Sequence, residues 1–338
     1  SMWLEQAELT LFAKARELML FNFETVCDSA VIPPLGVALE RADRLLDKLG
    51  KPVGVPVYEP FNADGEDQFY NYVGMCGIPL EPRPEFDDTQ TSIFLTQNSA
   101  KDPQVMDKLK KYVMNGGVAV VTSGFVRETL GKGMEDMTSI RCTGRKVIGT
   151  RYQMTNLNVS SKYVVKSDEP VIFDVLNCKN NATWTDVLLH LNDFSCSVLS
   201  EDMYGKGFLN VLTVPDNFGD IYRFPREVWG AIAKDFARGR KFFVTAEPKI
   251  SVFEYDNDTF GIYSFQEYPT PVEITLLGEE YAGFEDLETG EKFLEEHHRD
   301  PQPRREGDSA SCRPEPLERV FRLPIVPGTY RFFRLVKA

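Results

Sequence analysis

The chain of 338 residues is 42% hydrophobic, enough for two or three domains each with its own core. Lys and Arg number 38 against 51 Asp and Glu, and the resulting net charge of -13 argues against phosphate backbones or anionic lipid as partners. No apolar run approaches the roughly 20 residues of a membrane span, and no basic-then-apolar leader opens the chain, so the reading is no nucleic acid, no membrane and a cytoplasmic location. The six cysteines (Cys27, Cys76, Cys142, Cys178, Cys196, Cys312) include no C-x-x-C pair and no histidine at ligand spacing. That usage argues against a zinc site and a disulfide framework, and no metal or cofactor is expected. The opening Ser1-Met2 has the look of a scar left by tag removal, which would place the natural start upstream.

In chain order, Leu4, Ala7, Leu11, Phe12 and Ala15 share one face and predict a helix over Trp3 to Arg16. Glu17 to Phe23 reads as a strand and Leu35 to Leu49 as a second helix. A lone strand makes no stable sheet, so residues 1–50 are expected to be the last units of a larger upstream domain; the alternative is that they dock on the next one. The pattern restarts at Lys51, with strands at Val53 to Tyr58 and Ile78 to Glu81 flanking a helix over Glu66 to Met75. Ser92 to Gly124 is the clearest unit. Ile93 to Thr96 and Val118 to Thr122 are apolar strands, and between them Asp102 and Pro103 open a helix carrying Val105, Met106, Leu109, Tyr112 and Val113 that Asn115-Gly116-Gly117 stops. Such units predict a doubly wound, flavodoxin-like α/β domain over residues 51–240.

Short β-like runs at Lys146 to Gly149, Tyr163 to Val165, Val171 to Val175 and Val187 to Leu191 suggest an insertion or an antiparallel extension of that sheet. A turn at Tyr204-Gly-Lys-Gly207, a strand over Phe208 to Val214 and a helix from Pro225 to about Arg238 finish it. Beyond Arg240 come short alternating runs at Lys249 to Glu254, Gly261 to Glu267, Val272 to Leu277, Phe284 to Asp286, Val320 to Leu323 and Tyr330 to Val336. They predict an antiparallel β-sandwich over 241–338, with the Pro-, Arg- and Glu-rich stretch Glu295 to Glu318 as a mobile excursion.

These blocks resemble the later part of family 42 β-galactosidases, in which a TIM barrel is followed by a class I glutamine-amidotransferase-like trimerisation domain and a small β-sandwich. The matching residues are Gln6 to Phe12 and Glu17 to Phe23 for the end of the barrel, Pro103 to Gly124 and Tyr204 to Pro215 for the middle domain, and Pro327 to Tyr330 for the closing strand. The chain also looks like the C-terminal half of a group of uncharacterised bacterial proteins. The resemblance implies a homo-oligomer, trimeric in that family, and contact with carbohydrate through a parent glycoside hydrolase. It carries over no substrate, because the family's catalytic glutamates lie on barrel strands that are not in this sequence.

An amidotransferase needs a Cys or Ser at a strand-to-helix elbow, activated by a histidine and oriented by an acid. The corresponding position is Ser123, but Val121 replaces the elbow glycine, and Val214-Pro-Asp-Asn217 stands where the His and Glu would follow. The fold is therefore expected without the chemistry. Cys76 is a weaker nucleophile candidate, better read as core. Of the three histidines, His190 reads as a strand residue and His297-His298 as the start of the mobile stretch, with no metal role. Glu24, with Asn22 and Asp28, would line a barrel pocket if that barrel precedes the chain; otherwise Glu24 is a solvated carboxylate. Gly131-Lys-Gly133 and Gly205-Lys-Gly207 lack the frame of a phosphate loop and read as turns. Tyr263 and Tyr268, among the aromatics near Tyr255, Phe260 and Phe265, are candidates for stacking on sugar, although Tyr263 and Phe265 also suit a core. The expected function is a non-catalytic scaffold or oligomerisation part of a carbohydrate-active enzyme. A carbohydrate-binding or interaction module is the alternative, and a Ser or Cys hydrolase the third reading.

Overall fold

The computed structural model describes residues 2–19, 24, 27, 29–61, 63, 68–155, 164–179, 182–294, 297–299 and 317–338. Strands β1 (Val55–Tyr58), β2 (Leu80–Arg83), β3 (Ser92–Leu95), β4 (Val118–Thr122), β5 (Ile140–Met154), β6 (Val164–Cys178), β7 (Trp184–His190), β8 (Ser195–Tyr204) and β9 (Gly207–Leu212) form one mixed sheet. Its order is β2-β1-β3-β4-β9-β8-β7-β5-β6. The pairs from β2 through β9 are parallel, and those from β9 outward to β6 are antiparallel.

Helices lie on both faces, which is why the central strands are apolar throughout. Val120 and Phe94 face a core made with α3 (Phe69–Val73) and α6 (Arg226–Phe236), where Trp229 and Phe236 are buried. Ala119, Val121, Ile93 and Leu95 face the other way, onto α4 (Val105–Met114) and α5 (Ser123–Thr129). Helix α4 starts later than its Asp-Pro signal suggests. Asp102 still accepts the Gln104 N–H at 2.8 Å, but it also takes the Tyr58 hydroxyl at 2.8 Å and Lys108 at 2.7 Å.

Beyond α6, β10 (Phe242–Thr245), β11 (Ile250–Glu254), β12 (Thr259–Ser264), β13 (Thr270–Leu277), β14 (Tyr281–Asp286), β15 (Lys292–Phe293), β16 (His297–Arg299), β17 (Glu318–Ile325) and β18 (Tyr330–Lys337) make two antiparallel sheets. The four-stranded sheet has the order β10-β13-β17-β16 and the five-stranded one β11-β12-β18-β14-β15. Phe242, Ile274 and Phe321 from the first meet Phe260, Phe284 and Phe333 from the second in one core. His297 and His298 therefore belong to an edge strand paired with β17, not to the start of a loop; most of the remaining stretch to Glu318 lies outside the described residues.

The N-terminal helices α1 (Met2–Phe12) and α2 (Ile32–Leu46) are where the periodicity places them, within a few residues. They dock on the outer face of the five-stranded sheet and not on the mixed sheet that follows them in sequence. Phe12, Ala42, Leu45 and Leu49 pack with Tyr255, Tyr263, Tyr330 and Phe332. Glu17, Leu18 and Met19 are not in a strand, and the rest of the expected strand, Leu20 to Phe23, lies outside the described residues.

The turn between β8 and β9 is glycine for a steric reason. Gly205 has φ +62°, and a Cβ on Gly207 would lie 2.1 Å from the Gly117 carbonyl oxygen and 2.4 Å from that of Val113. Those neighbours are backbone atoms and have no rotamer to change. Gly207→Ala is therefore expected to lower unfolding free energy by about 1–3 kcal/mol, the usual range for overpacking, measured by chemical denaturation. A loss below about 0.5 kcal/mol would show the turn free to move aside.

Candidate functional site

Strand β4 ends at Thr122, whose Oγ1 accepts the Phe125 N–H at 3.1 Å and caps α5. Ser123 thus stands at the strand-to-helix turn where the sequence places a nucleophile. Its Oγ accepts the Val214 N–H at 3.0 Å, and the residue is only 3% exposed. The elbow strain is absent: among the described residues the non-glycine positions with positive φ are Lys14, Lys249 and Asp258. Ser123 begins an ordinary helical turn.

Beside it opens a cavity of about 320 Å³ lined by Thr96, Gln97, Arg127, Lys146, Asp174 and Asp216, with Phe69 and Phe218 as its apolar walls. The charges there are spent on one another. Arg127 pairs with Asp174 at 3.2 Å and donates to Gln97 Oε1 at 3.2 Å, while Lys146 pairs with Asp216 at 2.5 Å. No histidine or cysteine is among the lining residues. His190 lies on β7, three strands from β4 in the sheet order, or about 14 Å at ordinary strand spacing. Its ring nitrogens meet Gln153 Oε1 at 2.5 Å and Ser195 Oγ at 2.9 Å. A larger cavity, about 580 Å³, runs along α4 past Phe86, Lys108 and Tyr112, and no serine, cysteine or histidine is among its lining residues.

The remaining candidates are scattered. Cys76 is wholly buried, its thiol donates to the Tyr72 carbonyl at 3.4 Å, and burial pushes its pKa well above the ordinary thiol value, so the thiolate that catalysis needs is disfavoured. Glu24 is exposed; Asn22 and Asp28 lie outside the described residues. Tyr263 is corrected from a sugar-stacking candidate to a core residue. It is 2% exposed, its hydroxyl donates to Glu8 Oε2 at 3.1 Å, and Phe265 packs at 4.7 Å between ring centroids. Tyr268 is 50% exposed and its hydroxyl donates to Glu247 at 2.6 Å, leaving a ring held at the surface. One feature escaped the sequence: Asp186, Glu201 and Asp235 bring carboxylates together beneath α6. No spacing rule finds them, because they come from three separate elements.

Residues 241–335 match the family described as probable glycosyl hydrolase, C-terminal domain, and residues 50–217 match the second domain of an uncharacterized protein, SSO3021. No curated protein matches the chain. Among solved structures, α-L-fucosidase isoenzyme 2 from Paenibacillus thiaminolyticus superposes with a TM-score of 0.52 at 10% identity, over 92% of this chain and 53% of that one. A GH42 β-galactosidase from G. stearothermophilus gives 0.47 at 14% identity, over 94% and 45%. The β-galactosidase of Bacillus circulans sp. alkalophilus gives 0.44 at 9% identity, over 91% and 46%. The chain spans about half the length of these structures.

The burial of Cys76 has a direct readout. At a pH near 8, iodoacetamide should modify the exposed Cys27 readily while Cys76 stays unmodified until the protein unfolds, followed by peptide mass spectrometry. Modification of Cys76 at a rate like that of Cys27 in folded protein would contradict the inert assignment.

Proposed function

We propose that this chain, which resembles the C-terminal part of a glycoside hydrolase, is a non-catalytic, assembly-forming portion of a carbohydrate-active enzyme. The bond-breaking carboxylates would belong to a barrel domain other than the units described above. The observation that carries this reading is Ser123: its hydroxyl oxygen accepts a backbone N–H, no histidine is among the residues that line the cavity beside it, and the carboxylates there, Asp174 and Asp216, are engaged by Arg127 and Lys146. A serine without a base remains a weak nucleophile at neutral pH.

The parallel strand order β2-β1-β3-β4-β9 supports a doubly wound ancestry of the flavodoxin and amidotransferase kind, and the two C-terminal sheets with a shared core support a β-sandwich. In this reading residues 1–50 are the end of the barrel, 51–240 the amidotransferase-like domain and 241–338 the sandwich; carbohydrate is met through the parent enzyme. Self-association is favoured by the outermost hairpin. Ile148 and Ile172 are direct cross-strand partners on β5 and β6, 57% and 38% exposed. Such a pair on the outermost two strands of the sheet is suited to contact with another copy of the chain, as a trimer if the resemblance holds. Tyr268 keeps a second reading, a carbohydrate-binding module, because its hydrogen bond holds an exposed ring in place. Saturable oligosaccharide binding lost in Tyr268→Ala would favour that reading.

Light scattering of the purified chain is expected to give a multimer that Ile148→Glu with Ile172→Glu converts to monomer. A fluorophosphonate serine-hydrolase probe should leave the chain unlabelled. Labelling abolished by Ser123→Ala would overturn the non-catalytic reading, and a monomer at every concentration would remove the assembly role.

A further inference from the structure

The sheet face under α6 buries charge as well as aromatic rings. Asp186 of β7, Glu201 of β8 and Asp235 of α6 place carboxylate oxygens within 4.8 Å of one another. Asp186 is 8% exposed and Asp235 1%. Arg238 answers them, in contact with Glu201 and 3.9 Å from Asp235, with its guanidinium 4.2 Å above the Phe208 ring. Its side chain is still 32% exposed. Carboxylates gathered out of water persist there only when hydrogen-bonded, paired or bound to a cation. Burial and then the neighbouring Asp235 charge push the Asp186 carboxyl well above the ordinary range.

A separate observation points to the same place. Asn210 on β9 is 0% exposed, and among the described residues neither its Oδ1 nor its Nδ2 has a hydrogen-bond partner. An amide that is wholly buried and wholly unpaired is rare in folded proteins and asks for a missing partner. Asn210 is the direct cross-strand partner of Glu201, so both side chains leave the same sheet face with Cβ atoms about 5 Å apart. That face is the one α6 covers: Val120 beside Asn210 on β4 and Leu212 two residues along β9 both join the core beneath Trp229.

We infer that Asp186, Glu201, Asp235 and Asn210 form a binding site for a hard divalent cation of the calcium and magnesium class. The donors are all oxygen, three carboxylates and the amide Oδ1, the set such ions prefer over zinc or copper. Arg238, partly exposed over the Phe208 ring, stands beside the site as a counter-cation. The cation fastens α6 to β7, β8 and β9, a structural role independent of the Ser123 cavity.

The test uses the full chain, stripped with EDTA, exchanged into metal-free buffer and titrated by calorimetry with CaCl2, MgCl2 and MnCl2, with unfolding temperature followed in parallel. Saturable binding of a single cation with a raised unfolding temperature is expected for at least one of the three. Asp186→Asn and Asn210→Leu should each weaken it by about tenfold or more. Asn210→Leu replaces the amide with apolar atoms of similar size and reports even if Asp186→Asn fails to fold. Ser123→Ala should bind as the unaltered chain does. Absence of saturable binding up to about 1 mM of all three ions, or binding unchanged in both site variants, overturns the inference and leaves a cluster neutralised by Arg238 and a shared proton.

Discussion

Where α4 ends, the Gly116-Gly117 turn and the Gly205-Lys206-Gly207 turn meet backbone to backbone, and the antiparallel half of the mixed sheet depends on that contact. Lys206 N–H donates to the Met114 carbonyl at 3.2 Å and Phe208 N–H to that of Gly117 at 3.1 Å. The pairing locks β9 beside β4 from Val118 opposite Phe208 to Thr122 opposite Leu212. A slip of one residue would exchange the two buried faces of β9, setting Asn210 among the α4 side chains and Val211 under α6. The same register carries the chain past Leu212 so that the Val214 N–H arrives at the Ser123 hydroxyl. The geometry at one end of β4 thus decides the chemistry at its other end.

The two sheet systems are joined by polar links that are mostly shielded from water. Arg240 reaches the Val53 carbonyl at 3.0 Å and pairs with Glu254, and Lys234 pairs with Glu318 at 2.9 Å with both side chains almost buried. Backbone bonds reinforce them, with Gly77 N–H to the Ile250 carbonyl at 2.8 Å and Ile250 N–H to that of Met75 at 2.9 Å. Buried ion pairs contribute little net stability, because desolvation consumes most of the Coulomb gain, but misplacing one partner is expensive. Their effect is to fix how the sheets sit together. On the far side, the aromatic layer of Phe12, Tyr330 and Phe332 seats the N-terminal helices, with centroids 4.6 and 4.4 Å from Phe12, and the Arg41 fork on Glu288 adds direction.

Much of this was legible because periodicity reports burial. Val118 to Thr122 is apolar at every position because it is buried on both faces, and the four strands Ile250–Glu254, Thr270–Leu277, Glu318–Ile325 and Tyr330–Lys337 announced themselves by alternation. Ser195–Tyr204 did not, since Ser197, Ser200, Glu201 and Asp202 break the pattern; all four are buried or half-buried, and Asp202 and Glu201 meet Thr138 and Arg238, which lie far away in sequence. Phe242–Thr245 was too short to stand apart from the helix before it. At the candidate site, the position of Ser123 and the want of a histidine near it could be read from the chain. That its hydroxyl meets Val214 could not, because the contact spans β5 to β9. Tyr263 misled in the opposite direction: alternation shows that a residue faces one side of a strand, and only the docking of α1 shows that this side is covered.

The Ser123 cavity and the carboxylate cluster lie on opposite terms with their charges, and the contrast follows from solvent. In the cavity, Arg127 and Lys146 are 49% and 54% exposed, so their pairs with Asp174 and Asp216 are screened and contribute little more than placement of the β5–β6 hairpin against α5 and the loop after β9. Water can complete any coordination those groups lack. Under α6 it cannot. Asp235 and Asn210 are at most 1% exposed, so whatever satisfies them must be built from protein or held there permanently. Charged groups in an open crevice leave the fold around them free to vary, whereas oxygens gathered out of water constrain every residue around them. For that reason the strongest chemical demand in this chain falls on its helix-to-sheet packing, and the crevice where catalysis would be sought makes the weaker one.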